Sequence, residues 1–249
     1  MRKKVFSSVR KHRLGVFAGI LVCASLATIF VPALSLSVGN TFFGGNAPLY
    51  NVRLAQFLFE QAAHPLLPVS TPRYAHYQLS RTEFIRGDLV NALDEIRAEL
   101  SLYPGDTGAY YILGLTLGYM GRTYEAIDAF STYIDTHPGT WAGRNDKAWL
   151  QFRLGDIDGA LATIEPIANN FKFTPWVQNT YCVLLINKQR YEEAQQVCER
   201  AKEEIDAMST SDWGRSYPGN DPRIYGQGLS AMKATVQANL ELLQRETNG

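Results

Sequence analysis

Three residue types recur along this chain at one spacing. Ala92, Ala126, Ala160 and Ala194 stand 34 apart. Gly87, Gly121 and Gly155 each precede such an alanine by five, and Pro104 and Pro138 keep the same interval of 34. The wording repeats with them, as GDLVNAL, GRTYEAI and GDIDGAL, then KQRYEEA. A fixed period of this length means one supersecondary unit used several times, each copy burying its apolar face on its neighbours.

The residue types say what the unit is. Each holds an apolar stretch at helical spacing, a glycine, and a second amphipathic stretch. Glycine admits the positive φ of a tight turn. Alanine lets two antiparallel helices approach closely, and proline ends the second helix. The expected fold class is therefore all-α. The pattern resembles the tetratricopeptide repeat, in units 73–106, 107–140, 141–174 and 175–208. Unit two carries the match best, with Tyr110, Leu113, Gly114, Leu117, Ala126, Phe130 and Pro138. Unit one has Leu79, Gly87, Ala92, Ile96 and Pro104. Unit four has Tyr181, Cys182, Leu185, Ala194, Cys198 and Ala201, but Gln189 replaces its glycine and no proline follows. Unit three departs most. Arg144, Lys147 and Gln151 stand where its first helix is expected to be apolar, which predicts a rotated helix, while Ala160, Ile164 and Ile167 keep its second helix in register. The resemblance implies a right-handed α-solenoid of about four hairpins with capping helices. It is nearly silent on ligand, because this architecture hosts many unrelated roles.

Formal net charge is zero, but unevenly distributed. Residues 1–13 hold six Lys/Arg and no acid, so the remainder has 18 basic against 24 acidic residues. That sign disfavours phosphate backbones, and no nucleic-acid partner is expected. Residues 14–36 carry no charge. The 18 residues up to Val31 would span about 27 Å as a helix, close to a bilayer core. The expectation is a basic cytoplasmic tail at 1–13 and one transmembrane signal-anchor helix at 14–36. The repeats then lie outside the cytoplasm, periplasmic or extracellular. A cleaved signal peptide is the alternative, since Pro32 breaks the run and small residues follow it. A lipid-modified Cys23 fits less well, because Val22 precedes it.

Flanking segments are expected to cap the solenoid. Residues 37–72 read as a linker containing a helix at 48–63, either a cap or a membrane-surface helix. Residues 209–223 are rich in Gly, Pro, Ser and Asp and read as a loop. Trp213 and Tyr217 within that loop are expected to fold back on the solenoid, over the groove or over the outer face. Leu229, Met232, Val236, Leu240 and Leu243 form one stripe, predicting a helix at 224–246 that caps the array or binds a partner.

Motifs that carry chemistry are scarce in the chain. There is no phosphate loop, no GxSxG, and no His pair at metal-ligand spacing among His12, His64, His76 and His137. No metal, no cofactor and no catalytic residue is expected. Asp156 and Asp158 read as solvated residues at a helix start. The charges between Arg190 and Asp206 read as a solvated helix face or an acidic docking strip. Cys182 and Cys198 occupy facing positions of unit four in the family pattern. Two readings stay open for them: small buried fillers, or a disulfide in an oxidising compartment.

In the family, the first helix of each unit lines a concave surface. The resemblance therefore places Tyr77, Arg81, Tyr111, Tyr119, Asn145, Trp149, Arg153, Asn179 and Asn187 there as ligand-binding candidates. Tyr, Trp and Arg anchor protein interfaces, and asparagine serves an extended peptide as both donor and acceptor. The resulting expectation is a membrane-tethered scaffold or adaptor that binds a protein or extended peptide and assists assembly of an envelope or membrane complex. Its oligomeric state is left open. The alternatives are a fixed structural subunit with no exchangeable ligand, and an enzyme with a site at 209–223 around Asp212 and Asp221.

Overall fold

The structure is a computed structural model and describes residues 31–44, 49–67, 69–217 and 225–248. Its regular elements are twelve helices among the described residues. They are α1 (Pro32–Thr41), α2 (Val52–Ala63), α3 (Ala75–Arg86), α4 (Leu89–Leu102), α5 (Ala109–Tyr119) and α6 (Thr123–Thr136). Then follow α7 (Trp141–Arg153), α8 (Ile157–Ala168), α9 (Pro175–Asn187), α10 (Tyr191–Ala207), α11 (Thr210–Ser216) and α12 (Tyr225–Asn248). The chain divides into two units inside α3, between Glu83 and Phe84.

In the first unit, α1 packs on α2. Backbone at Val31 is extended, and Pro32 supplies the first turn of α1, a position where its missing N–H costs nothing. The uncharged run at 14–36 therefore does not continue as one helix to its end. Residues 14–30 lie outside the described residues, and no described helix is long and apolar enough to cross a membrane. Gly39 admits the edge of the Phe59 ring, where a Cβ would stand only 2.5 Å from a ring carbon. The segment 37–41, expected to be linker, is thus the end of α1. The helix expected at 48–63 begins at Val52, where the Asn51 side chain accepts from the Leu54 N–H. It buries Ala55, Leu58, Phe59, Ala62 and Ala63 and leaves Leu54 and Phe57 exposed.

The second unit shows how the repeat works. Three helical hairpins, α5/α6, α7/α8 and α9/α10, follow α4, and each packs on the next. Ala126, Ala160 and Ala194, on the three second helices, are fully buried, as is Ala92 on α4. Within each hairpin a small residue faces its partner at one register. Gly114 faces Phe130, and a Cβ on Gly114 would lie 2.7 Å from the ring. Ala148 and Ile164 share a buried cluster at the same register of the next hairpin. Cys182 and Cys198 hold it in the last and are joined as a disulfide, with Cα atoms 5.4 Å apart, inside the usual window for such a bond.

The turns obey the same rule. Gly87, Gly121 and Gly155 have φ of +82°, +78° and +80°, and Gln189, in the glycine's place, adopts φ +57°. The hairpin geometry is imposed even where the residue resists it. Caps are regular as well. Asp88, Thr140 and Asp156 accept from the backbone N–H three residues on, so Asp156 is a helix cap. Asp158 pairs with Lys188 at 2.8 Å on the surface.

Unit three's first helix is not rotated. Two of its polar departures, Arg144 and Gln151, find partners in place. Arg144 donates to the carbonyls of Pro138 and Thr163, at 3.2 and 3.3 Å. Gln151 accepts from the Thr163 hydroxyl at 2.7 Å. A long side chain that reaches a hydrogen-bond partner removes the penalty that would have turned the helix.

After α10 the segment expected as a loop, 209–223, is helical at Thr210–Ser216. Ser209 caps it by accepting from the Asp212 N–H at 3.1 Å, and Trp213 packs with Ile205 and Leu229. A buried indole and a hydroxyl cap offset the poor helix propensity of this stretch. Residues 218–224, including Asp221, lie outside the described residues. The last helix, expected at 224–246, runs Tyr225–Asn248. It lays Val236, Leu240 and Leu243 on the apolar face shared by α9 and α10, which gives the final hairpin the neighbour it otherwise lacks.

Candidate functional site

The first helices of the three hairpins lie side by side, α5 next to α7 and α7 next to α9. Between them opens a cavity of about 630 Å³. Its walls come from Leu115, Gly118 and Tyr119 of α5, Asn145, Asp146, Trp149, Leu150 and Arg153 of α7, and Trp176, Asn179 and Thr180 of α9. Trp213, Tyr217 and Met232 also line it. The α11 segment thus folds over this groove and not over the outer face.

Asp146 is the chemical centre of the cavity. Its Oδ2 accepts from the Tyr111 hydroxyl at 3.0 Å, and its Oδ1 accepts from the Tyr217 hydroxyl. Burial pushes the carboxyl up from 3.8 to about 7, against the two phenol hydrogen bonds, which favour the ionised form. Both phenols are raised well above 10, by burial first and by the adjacent carboxylate second. Beside it, Asn145 accepts from the Thr180 hydroxyl at 2.8 Å, tying α7 to α9.

An aromatic seam runs along the same region. Trp141 stacks on Trp176 at 5.8 Å between centroids, and Trp176 stacks on Tyr217 at 5.6 Å. Trp213 tilts against Trp176 at 6.0 Å, and its indole N–H donates to Met232 Sδ at 3.5 Å. Gly228 of α12 permits this, since a Cβ there would collide with the Trp213 ring. Such ring pairs add roughly 0.5–1.5 kcal/mol each beyond their burial.

Of the residues expected to bind, Tyr119, Asn145, Trp149, Arg153 and Asn179 line the cavity. Tyr119 is 70% exposed and Trp149 40%, and Arg153 is exposed and forms no ion pair among the described residues. Four of the candidates are engaged inside the fold or lie off the cavity. Tyr111 is 5% exposed and serves as a donor to Asp146, so it is not a free anchor. Asn145 is committed to Thr180, and Asn179 accepts from Asn239 of α12 at 3.3 Å, so both oxygens intended for a peptide backbone are engaged internally. Asn187 is exposed, donates to the Val183 carbonyl at 2.8 Å, and does not line the cavity. Tyr77 and Arg81 belong to the first unit. There the Arg81 guanidinium lies 4.8 Å over Phe43 and 5.7 Å from Tyr77, and donates to Gln78 at 2.8 Å.

Around the buried carboxyl, Asp146 itself was not foreseen, and Tyr217 was expected over the groove or over the outer face. Asp146 sits in the polar run RNDK, which looks solvated. Tyr217 did leave a signal, because a linker has no need of aromatic residues, but its destination is a matter of tertiary packing. Asp212, weighed as a catalytic candidate, is the third residue after the Ser209 cap and lies at the surface of α11.

No protein-family model matches the sequence, and no curated protein matches it. Solved structures do. A thermophilic TPR protein of Thermus thermophilus, TTC0263, is 18% identical, with a TM-score of 0.56 over 84% of this chain and all of its own. MamA (AMB-1) is 16% identical, with a TM-score of 0.56 over 72% of this chain and 93% of its own. This chain has the tetratricopeptide-repeat fold. The likeness is one of architecture: helical hairpins in series, as the 34-residue period requires.

Proposed function

We propose that this protein is an interaction scaffold that takes a protein or peptide segment in the cavity between α5, α7 and α9. The observation that carries the reading is that cavity. Three first helices converge on it, and Tyr119 and Trp149 present exposed aromatic surface there. Large exposed aromatics beside a concave polar floor are the residue types that anchor interfaces. The role is one of binding, without a reaction of its own.

The finer reading is that the scaffold is tethered through the uncharged run after the basic tail and works outside the cytoplasm, in assembly of a membrane or envelope complex. The charge asymmetry of residues 1–36 supports it, and so does the Cys182–Cys198 disulfide, which suits an oxidising compartment. A photo-crosslinking residue placed at Trp149, in the native membrane fraction, tests the binding site. A control at Tyr124, an exposed residue of α6, reports the outer face. Adducts at Trp149 and none at Tyr124 are expected, and the reverse pattern would move the interface elsewhere. Protease protection of the repeats in sealed membranes checks the side of the bilayer.

A further inference from the structure

The floor of the cavity is acidic, and among the described residues no cationic side chain pairs with it. Asp146 accepts one hydrogen bond on each oxygen, both from phenols. A carboxylate has about four lone-pair sites, so two donors leave capacity unused. Neither phenol neutralises the charge, and a desolvated anion without a counter-charge is expensive. The one cationic side chain lining the cavity among the described residues is Arg153, seven residues along α7. That is two turns, or roughly 10 Å along the axis, and the residue is exposed. Trp149 stands between the two in the sequence of α7 and also lines the cavity, as does Trp176 of α9, whose ring stacks on that of Tyr217. Aromatic faces attract cations through their quadrupole, more so when water is excluded.

We infer that the cavity selects a basic residue of the bound segment, whose Lys ammonium or Arg guanidinium enters against the Asp146 carboxylate beside the Trp149 and Trp176 rings. The inference rests on the reading of this cavity as the partner site and adds the chemistry of what enters it. Charge complementarity chooses the occupant. The repeats and flanks beyond residue 13 are net acidic, which steers a basic segment toward them. An entering cation supplies the missing counter-charge, and the carboxyl gives up its proton as the cation binds. Affinity is therefore greater above pH 7 than below it.

The test uses the full chain in detergent and three capped pentapeptides, acetyl-Gly-Gly-X-Gly-Gly-amide with X as Lys, Arg or Glu. Binding is read from tryptophan fluorescence, since Trp149, Trp176 and Trp213 all line the site. The Lys and Arg peptides are expected to saturate the signal and the Glu peptide to bind at least tenfold more weakly. Asp146→Asn should cost at least tenfold for the basic peptides, and so should a shift from pH 8 to pH 5.5. Trp149→Ala, at a position 40% exposed, should weaken them at least threefold, with the fold of the variant checked by circular dichroism. Equal binding of the Glu and Lys peptides, no saturable binding of either basic peptide, or an unchanged affinity in Asp146→Asn overturns the inference. Should Asp146→Asn not fold, the pH shift and Trp149→Ala decide. Partner adducts at Trp149 in that event leave the scaffold reading standing, whereas their absence removes both.

Discussion

Tyr217 and Asp146 are 71 residues apart in the chain, and the hydroxyl of one donates to the carboxylate of the other. This bond joins the segment after the last hairpin to the floor of the groove. Tyr111 of α5 adds a second donor to the same carboxylate at 3.0 Å. A carboxylate held by two phenols connects three parts of the second unit: α5, α7 and the residue following α11.

Removing one phenol isolates its contribution. Tyr217→Phe keeps the ring stacked on Trp176 but deletes the donor. Stability to urea should fall by about 1 kcal/mol, the worth of one buried hydrogen bond. An unchanged denaturation midpoint would place the Tyr217 hydroxyl in water.

The same carboxyl makes stability depend on pH. Unfolded, Asp146 titrates near 3.8, and in the fold near 7. Between those values the folded chain binds more protons than the unfolded one. The stability tied to this group is therefore complete below pH 4 and is lost as pH rises through 7. Comparing Tm for the wild type and Asp146→Asn from pH 4 to pH 8 isolates it. The wild type should lose ground to the variant as pH rises, and parallel profiles would mean an ordinary, solvated carboxyl.

Gln189 occupies a turn that its three counterparts fill with glycine, at φ +57°. A side chain there costs roughly 1 kcal/mol in the left-handed region, offset in part by the greater freedom of glycine when unfolded. Gln189→Gly should raise stability by about 0.5–1 kcal/mol in thermal unfolding. A loss of stability would show that the Gln side chain contributes more than the turn demands.

Gly114 and Phe130 set the spacing of the first full hairpin. A Cβ at Gly114 would stand 2.7 Å from the ring, far inside contact distance. Gly114→Ala should destabilise by about 1–3 kcal/mol. Pairing it with Phe130→Leu should recover part of that loss in a double-mutant cycle. Additive effects would mean the two residues do not meet.

The disulfide between Cys182 and Cys198 closes a loop of separation 16. By chain entropy such a bond stabilises by about 3 kcal/mol. Reduction, or the double Cys→Ala variant, should lower Tm by several degrees, read as a difference scan with and without reductant.

Much of the fold was legible in particular residues. Ala126, Ala160 and Ala194 announced the close helix crossings and are fully buried. Gly121 and Gly155 announced the turns and carry positive φ. These features are local, or repeat at a constant interval, because a helical hairpin draws its geometry from residues within one period. The polar residues of α7 misled for the opposite reason. Arg144 and Gln151 find hydrogen-bond partners through long side chains, and reach is invisible to a hydropathy pattern.

The three hairpins, the register within each and their glycine turns were determined by the sequence alone, since sterics at Gly and Ala act over a few residues, whereas the helices at 32–41 and 210–216 were not. What the groove contains was decided only by tertiary structure. Whether Tyr217 lies above the groove or outside it depends on how Trp213 packs between α10 and α12, a contact between segments that share no period. The proton affinity of Asp146 likewise follows from burial between helices. Desolvation is a property of the assembled surroundings, and no residue carries it by itself.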